Sequence, residues 1–460
     1  MEGAPIAGEE PDASAPAAPN PLCQLPSEIL GDIFCAYVDS IATEKHLEIW
    51  SALPCWDAPS LKYVRIRIAR DQNLLLYVCR LWTDIVLSTP QYWRLVVLWH
   101  PSKECSLEER ADHWGRFRER TARAGSIDLT VLYMVDHVMD PSDKVEGLLL
   151  LDEFSTRMSS AVITTLCSFE LDGSYRIAEA SQSRLRRLMI GGSHKDTVKD
   201  LARRLNDFQD LRFLSISPIF VEFLDIPLVS ATLVRLHLCL KVDHDIMAQT
   251  LLDMPQLLHL RTDINRSGTK PIVHSQLKSL VLISSSSISR DFLSLSTFPA
   301  LRRLELSING NDPEWPKPED LAFFERSACP LEYLSVRGSV RIQDFLSDFL
   351  YYLSATIKVV ALLCTAAMPS AFLEELSKAS PVRTPIPPCI EEFGFPNIPS
   401  SQRGRLREAF IGIAALRDAY GLRRVKLDPY LRRNITMRMA IRRLEECGIV
   451  VRDCADSFDN

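Results

Sequence analysis

Leu233-Val234-Arg235-Leu236-His237-Leu238 spells a six-residue pattern, Leu-x-x-Leu-x-Leu, that returns at Leu301-Arg302-Arg303-Leu304-Glu305-Leu306. Its closing residues alternate apolar and polar, the period of an extended strand that buries one face. With other apolar residues allowed at the leucine positions, the cassette begins at Leu166, Leu185, Leu211, Leu233, Leu257, Leu277, Leu301, Leu331, Ile357, Ile390 and Leu422. Successive starts lie 19 to 33 residues apart, an irregular but sustained period of the kind that marks stacked repeats. Burying each such side chain contributes roughly 1.5–3 kcal/mol before chain entropy is charged against it. One cassette cannot bury its own leucines, so neighbours must stack.

Between the cassettes the period changes from two to that of a helix. Val198, Leu201, Leu205 and Phe208 follow helical steps after Asp196, and Leu406, Phe410, Ile413 and Tyr420 do so ahead of Gly421. Strands alternating with helices give an α/β fold. The pattern resembles a leucine-rich repeat solenoid over about Leu166 to Val451, of the irregular, helix-backed class, since the usual turn asparagine is missing and the late repeats are long. The resemblance implies parallel strands on a concave face and helices on a convex one. Residues 161–460 are read as this domain, interrupted by a proline-rich surface loop at Pro381 to Pro388.

That register places Arg187, Phe213, Arg235, His259, Arg303 and Tyr333 on the concave face, in a row completed by Ser279, Val359, Glu392 and Arg424, with Arg261 and Arg337 further along their strands. Guanidinium groups pair carboxylate or phosphate, and aromatic rings supply apolar anchors. The expected ligand is an acidic or phosphorylated segment of an unknown client protein.

Toward the N-terminus a different signal appears. In Leu25-Pro26-Ser27-Glu28-Ile29-Leu30-Gly31-Asp32-Ile33-Phe34, Pro26 suits a first helical turn and Glu28 suits the positive end of the helix. Leu25, Ile29, Leu30, Ile33, Phe34 and Val38 recur at helical steps. Further on, Leu74 to Val86 reads as a second helix containing Val78-Cys79-Arg80-x-Trp82, followed by Pro90-x-x-Trp93. In this order the motifs resemble an F-box, the helical module that docks a substrate receptor onto a ubiquitin ligase, in a style similar to fungal F-box-like proteins. The resemblance implies binding to a Skp-type adaptor, and through it a cullin, by Leu25, Pro26, Ile29, Leu30, Val78 and Trp82. For Ile33 and Trp93 a buried role in the module's own core weighs at least as much as an adaptor contact. The segment 40–73 is longer than the family's usual connection and reads as an insertion within an F-box-like domain over 21–97.

From 98 to 160 the sequence gives a connecting helix and a first strand. Ser106-Leu107-Glu108-Glu109 is a capping box, Trp114, Phe117, Thr121 and Ala124 share one helical face, and Gly125 ends the helix. Ile127-x-Leu129-x-Val131 then alternates as a strand.

Composition narrows the function further. The 460 residues include 53 basic and 59 acidic ones, a net charge of −6, so no global field favours nucleic acid or an anionic membrane. The 12 cysteines include no C-x-x-C pair, and they read as reduced residues of an intracellular protein, cytoplasmic or nuclear. Residues 1–20 read as a disordered tail with no secretory signal, and no apolar run is long enough to span a membrane. No nucleophile elbow, phosphate-binding loop or metal-ligand spacing is present, so neither metal nor cofactor is expected and the chain reads as non-catalytic. His244-Asp245 is read as a sequence neighbour pair only, and Gly191-Gly192-Ser193-His194-Lys195 as a turn. Three functions remain: substrate receptor of an SCF-type (Skp-cullin-F-box) ubiquitin ligase, a repeat scaffold for protein interaction whose N-terminal helices are a cap, or, least favoured, a hydrolase with an unrecognised site.

Overall fold

The structure, a computed structural model, describes residues 25–52, 70–99, 106–135, 149, 153–165, 184–191, 195–217, 223–284, 288–308, 318–338, 356–364, 391–395, 403–415, 422–427, 431 and 434–453. The N-terminal tail, the cassette start at Leu166 and the Pro381 to Pro388 loop lie outside these residues.

Strands β1 (Leu95–Trp99), β2 (Leu129–Val135), β3 (Met158–Thr165), β4 (Arg187–Gly191), β5 (Phe213–Ser217), β6 (Phe223–Leu224), β7 (Arg235–Asp243) and β8 (His259–Arg266) form the first half of the fold. The second half adds β9 (Ile272–Val273), β10 (Ser279–Ser284), β11 (Ser296–Thr297), β12 (Arg303–Ile308), β13 (Tyr333–Gly338), β14 (Val359–Cys364), β15 (Glu392–Phe395), β16 (Arg424–Leu427) and β17 (Val450–Asp453). All but β9 and β11 belong to one 15-stranded sheet whose strand order follows the chain, with β6 appended to β7. Every pairing is parallel, including that of β9 with β11. Parallel neighbours in chain order need crossovers of one hand, which puts the connections on one face and leaves the other open. On the connection side run α4 (Lys195–Arg204), α5 (His244–Leu252), α6 (Ile288–Ser294), α7 (Pro318–Ser327), α8 (Arg403–Ala415) and α9 (Ile435–Glu446), which complete a mixed α/β architecture built as a solenoid-like stack.

The cassettes are structurally equivalent. The second residue of each donates its N–H to the carbonyl of the same position one repeat earlier, in an unbroken run from Arg186 through Arg212, Val234, Leu258, Lys278, Arg302, Glu332, Lys358 and Glu391 to Arg423, at 2.8–2.9 Å. Variation in repeat length is therefore absorbed in the connections, while strand entry is held constant. Cassette leucines such as Leu233, Leu236 and Leu238, or Leu301, Leu304 and Leu306, are buried. Beneath them a file of rings runs His244, Phe292, Phe298, Phe323, Phe324, with centroids 5.6, 6.3, 6.1 and 4.9 Å apart. The file continues from repeat to repeat.

Thr262 stands where the other cassettes carry their last leucine, and its buried hydroxyl has no hydrogen-bond partner. A buried, unpaired hydroxyl costs free energy that an isosteric methyl does not. Thr262→Val is expected to raise stability by about 1 kcal/mol, read as a higher urea midpoint at unchanged slope.

The sheet starts earlier than the sequence reading placed it. Leu95–Trp99, assigned to the helical module, and Leu129–Val135, assigned to a connector, are its first two strands. In β3 the chain pairs Ala161 and Ile163 with Leu188 and Ile190 of β4, so the strand begins at Met158 and not at Leu166. Leu95-Val96-Val97-Leu98 lacks alternation because both of its faces are buried, which erases the period-two signal.

The N-terminal helices also differ in detail from the expectation. Helix α1 (Ser27–Ala52) continues past Ser40 into the segment read as an insertion. Leu74 to Val86 is not one helix: a 3-10 turn (Leu74–Tyr77) is followed by an extended Cys79 at φ −163° and then by α2 (Arg80–Ser88). Thr83 holds the break, its Oγ1 donating to the carbonyl of Leu76 at 2.8 Å. Pro90 opens a short 3-10 helix as expected, and the buried Trp93 donates its Nε1–H to Val86 O at 2.9 Å. Helix α3 (Leu107–Arg123) carries the full capping box, with Ser106 N donating to Glu109 Oε2 at 2.7 Å and Glu109 N to Ser106 Oγ at 3.2 Å. Trp114, Phe117, Thr121 and Ala124 are all buried, and Gly125 leaves the helix at φ +59°, a backbone state glycine adopts freely.

Candidate functional site

Two surfaces carry the residues singled out in the sequence. The first is the N-terminal helical module. Leu30, Phe34 and Val38, at four-residue steps, form the buried face of α1, and Phe34 packs its ring 4.9 Å from that of Trp82. Leu30 is 1% exposed and belongs to the module's own core, so its assignment as an adaptor contact is corrected. Ile33, expected inside, is instead 47% exposed, on the face it shares with Ile29, which is 46% exposed. The two residues four apart lie on one side of the helix and the Leu30 series on the other, a division that helical spacing alone permits but does not orient. Pro26 is exposed, Leu25 and Trp82 are half-buried, and Val78 is exposed.

Around Val78 the surface is more apolar than the sequence reading proposed. Leu74, Tyr77 and Leu81 are also exposed, Tyr77 at 83%. These four positions, at steps of three, one and three residues, would share one face of a continuous helix, and across the 3-10 turn and the extended Cys79 all four remain exposed to solvent.

Behind this surface a buried polar node fixes the module to the sheet. Gln72 donates its side-chain amide to the carbonyl of Leu95 at the start of β1, at 2.8 Å. Arg120 of α3 donates to Gln72 Oε1 at 3.2 Å and to Asn73 Oδ1 at 2.9 Å, and the Tyr92 hydroxyl donates to Gln72 O. Burial pulls the Arg120 pKa down from its ordinary value, the cost of placing a guanidinium here. The node therefore caps the first strand as well as tethering the helices.

The second surface is the open face of the sheet. Arg187, Phe213, Arg235, His259, Ser279, Arg303, Tyr333, Val359, Glu392 and Arg424 are successive register partners, so the row read from the sequence is one continuous line across the strands. At about 4.8 Å per strand, Arg187 and Tyr333 lie about 29 Å apart. The second outward row runs Met189, Ser215, His237, Arg261, Val281, Glu305, Ser335, Ala361, Gly394 and Lys426. His237 and Lys426 were missed in the sequence, although the alternation in Leu236-His237-Leu238 contains the signal.

The row is not electrostatically uniform. Arg303 is paired with Glu305 at 2.7 Å and stacked over the Tyr333 ring at 4.3 Å. The nearly buried Glu392 holds Arg424 at 2.9 Å and Lys426 at 2.6 Å. From β12 onward the outward-row cations described above therefore each have a carboxylate partner, Arg424 and Lys426 sharing one. On β7 and β8 the balance differs. Burial and the neighbouring Arg261, Arg235 and His259 push His237 down to about 4, and burial with Arg235, Lys278 and Arg303 lowers His259. Further along the same strands, burial raises Asp263 to about 6 against the opposing pull of Lys241.

His244 and Asp245, read as neighbours in sequence only, do interact: Nδ1 of His244 lies 3.3 Å from Asp245 Oδ1, which also accepts from Thr269 N at 3.3 Å. The ring is buried against Phe292, so this is a fastening for the 266–270 loop. A Cβ on Gly268 would fall 2.3 Å from His244 Nδ1 and 2.4 Å from Asp245 Oδ1. Gly268→Ala is accordingly expected to destabilise by about 1–3 kcal/mol, measured by thermal or denaturant unfolding.

Among the described residues no group of three or more histidine, cysteine or acidic side chains is placed to hold a metal, and no helix is long and apolar enough to cross a membrane. Neither a scan of protein-family models nor a search of the curated proteins finds a match to the chain.

Proposed function

We propose that this chain is the substrate-recognition subunit of an SCF-type ubiquitin ligase, with the N-terminal helices docking a Skp-type adaptor and the repeats holding a client. The observation that carries the reading is the exposed apolar set Ile29, Ile33, Leu74, Tyr77, Val78 and Leu81 on helices whose opposite side is already occupied by core. Exposed large apolar side chains grouped on short elements are the usual material of a protein interface. Pro26, Leu25 and Trp82 border the same elements and keep their assignment as contacts. The protein acts without chemistry of its own: holding a client beside a charged ubiquitin-conjugating enzyme raises the effective concentration of the acceptor lysine.

The Gln72 bond to Leu95 favours a second reading, in which the helices serve only to cap the first strand of a repeat scaffold. Co-purification separates the two. Wild-type protein is expected to retain a Skp-type adaptor through gel filtration, and Val78→Asp is expected to lose it while keeping its circular dichroism spectrum and melting temperature. Failure of the wild type to bring down any such adaptor favours the scaffold reading.

A further inference from the structure

Four side chains on two adjacent strands form a compact quartet. Arg235 and His237 of β7 are the register partners of His259 and Arg261 of β8, with the arginines on one diagonal and the imidazoles on the other. The sides of the square are about 4.8 Å across the strands and about 6.6 Å along them. Phe213 fixes the His237 ring edge-on at 5.1 Å, and next to it in the outward row the wholly buried Ser215 leaves its hydroxyl without a hydrogen-bond partner.

The charges around the imidazoles have one sign. His237 feels Arg261, Arg235 and His259, and His259 feels Arg235, Lys278 and Arg303. Among the described residues the other ionisable groups near the quartet are otherwise engaged or lie farther along the strands: Glu305 is taken by Arg303, Asp263 faces Lys241, and desolvation raises the pKa of the Cys239 thiol. Among the described residues neither Arg235 nor Arg261 has an ion-pair partner. A cationic patch of this kind, on a face where Arg303, Arg424 and Lys426 already have carboxylate partners, is complementary to an anion supplied from outside.

We propose that this quartet is where the open face grips its client, that the client segment is an extended aspartate- and glutamate-rich peptide, and that its binding loads protons onto the two imidazoles. The proposal rests on the reading of the open face as the client surface. In the free protein burial, and after it the cationic neighbours, holds both histidines below their ordinary pKa. Carboxylates placed among them reverse that field and return the imidazoles toward their ordinary value of about 6.5. A group whose pKa is higher in the complex than in the free protein strengthens binding as pH falls through the bound value, until the free value is reached. For His237 that window runs from about 7 down to about 4, and glutamate side chains stay ionised through most of it.

The test is calorimetric titration of the full chain with a hexaglutamate peptide at pH 5.5 and 7.5, in two buffers of different ionisation enthalpy. The expected result is about tenfold tighter binding at pH 5.5, the effect of one imidazole regaining its ordinary pKa, with net proton uptake. Arg235→Gln/Arg261→Gln is expected to lose binding at both pH values. His259→Gln, and separately His237→Gln, are expected to keep the affinity at pH 7.5 and lose part or all of the gain on acidification. Binding that is independent of pH, or that survives loss of both arginines in a folded variant, overturns the proposal. Tighter binding of a phosphoserine peptide, single-stranded RNA or anionic vesicles than of hexaglutamate overturns the choice of client chemistry. No adaptor is present in this titration, so its failure leaves the ligase reading untouched, and the absence of adaptor binding leaves this site intact.

Discussion

Leu30→Asp is expected to unfold the N-terminal module, whereas Ile29→Asp, one residue away, is expected to leave it folded and to abolish binding of the proposed adaptor. Leu30 sits in the core with Phe34 and Val38, so replacement loses the buried leucine and puts a carboxylate among apolar side chains. Leucine truncation alone costs about 2–5 kcal/mol, and the buried charge adds to it. A total above about 5 kcal/mol equals the whole stability of many domains. Urea unfolding is expected to show an early transition, or no folded baseline, for Leu30→Asp. Ile29→Asp is expected within about 0.5 kcal/mol of wild type, the usual range for an exposed site. If the two variants proved equally stable, the assignment of opposite faces to α1 would be wrong.

Trp114→Ala is expected to cost about 3–5 kcal/mol, measured by the same method. Trp114 is the largest fully buried side chain among the described residues, and it lies on the face of α3 that Phe117, Thr121 and Ala124 share. The same helix supplies Arg120 to the polar node at the start of β1. Its loss is therefore expected to loosen the helical module and the first strands together, and hydrogen exchange in β1 is expected to accelerate with exchange in α3. Exchange confined to α3 would show that the module is only loosely attached to the sheet.

The strand register was legible because the cassettes repeat one physical instruction. Each places two apolar side chains on the same face with one outward residue between them, and the ten copies from Leu185 to Leu422 leave little freedom in how they align. The capping box at Ser106 and the glycine stop at Gly125 were legible for a similar reason, since both act within a single helical turn. Leu95 to Leu98 was not legible as a strand. An apolar run buried on both faces has no period, and its partner lies more than 30 residues further along the chain. Leu30 and Ile33 were exchanged for a related reason: positions three apart on the surface of α1 are equally apolar, and only tertiary packing decides which of them turns inward. The pairing of Arg303 with Glu305 lay in the sequence as an i, i+2 relation on one strand face, but the stack on Tyr333 needed the β12–β13 register.

The account turns on a single surface, the apolar residues that α1 and the 74–81 segment leave uncovered. Hydrogen–deuterium exchange of the full chain, with and without a Skp-type adaptor, tests it most directly. Added adaptor is expected to slow exchange in residues 26–34 and 74–82 and to leave the strands from β5 to β16 unchanged. No change in either segment at saturating adaptor, or protection that falls on the open face of the sheet instead, would contradict it.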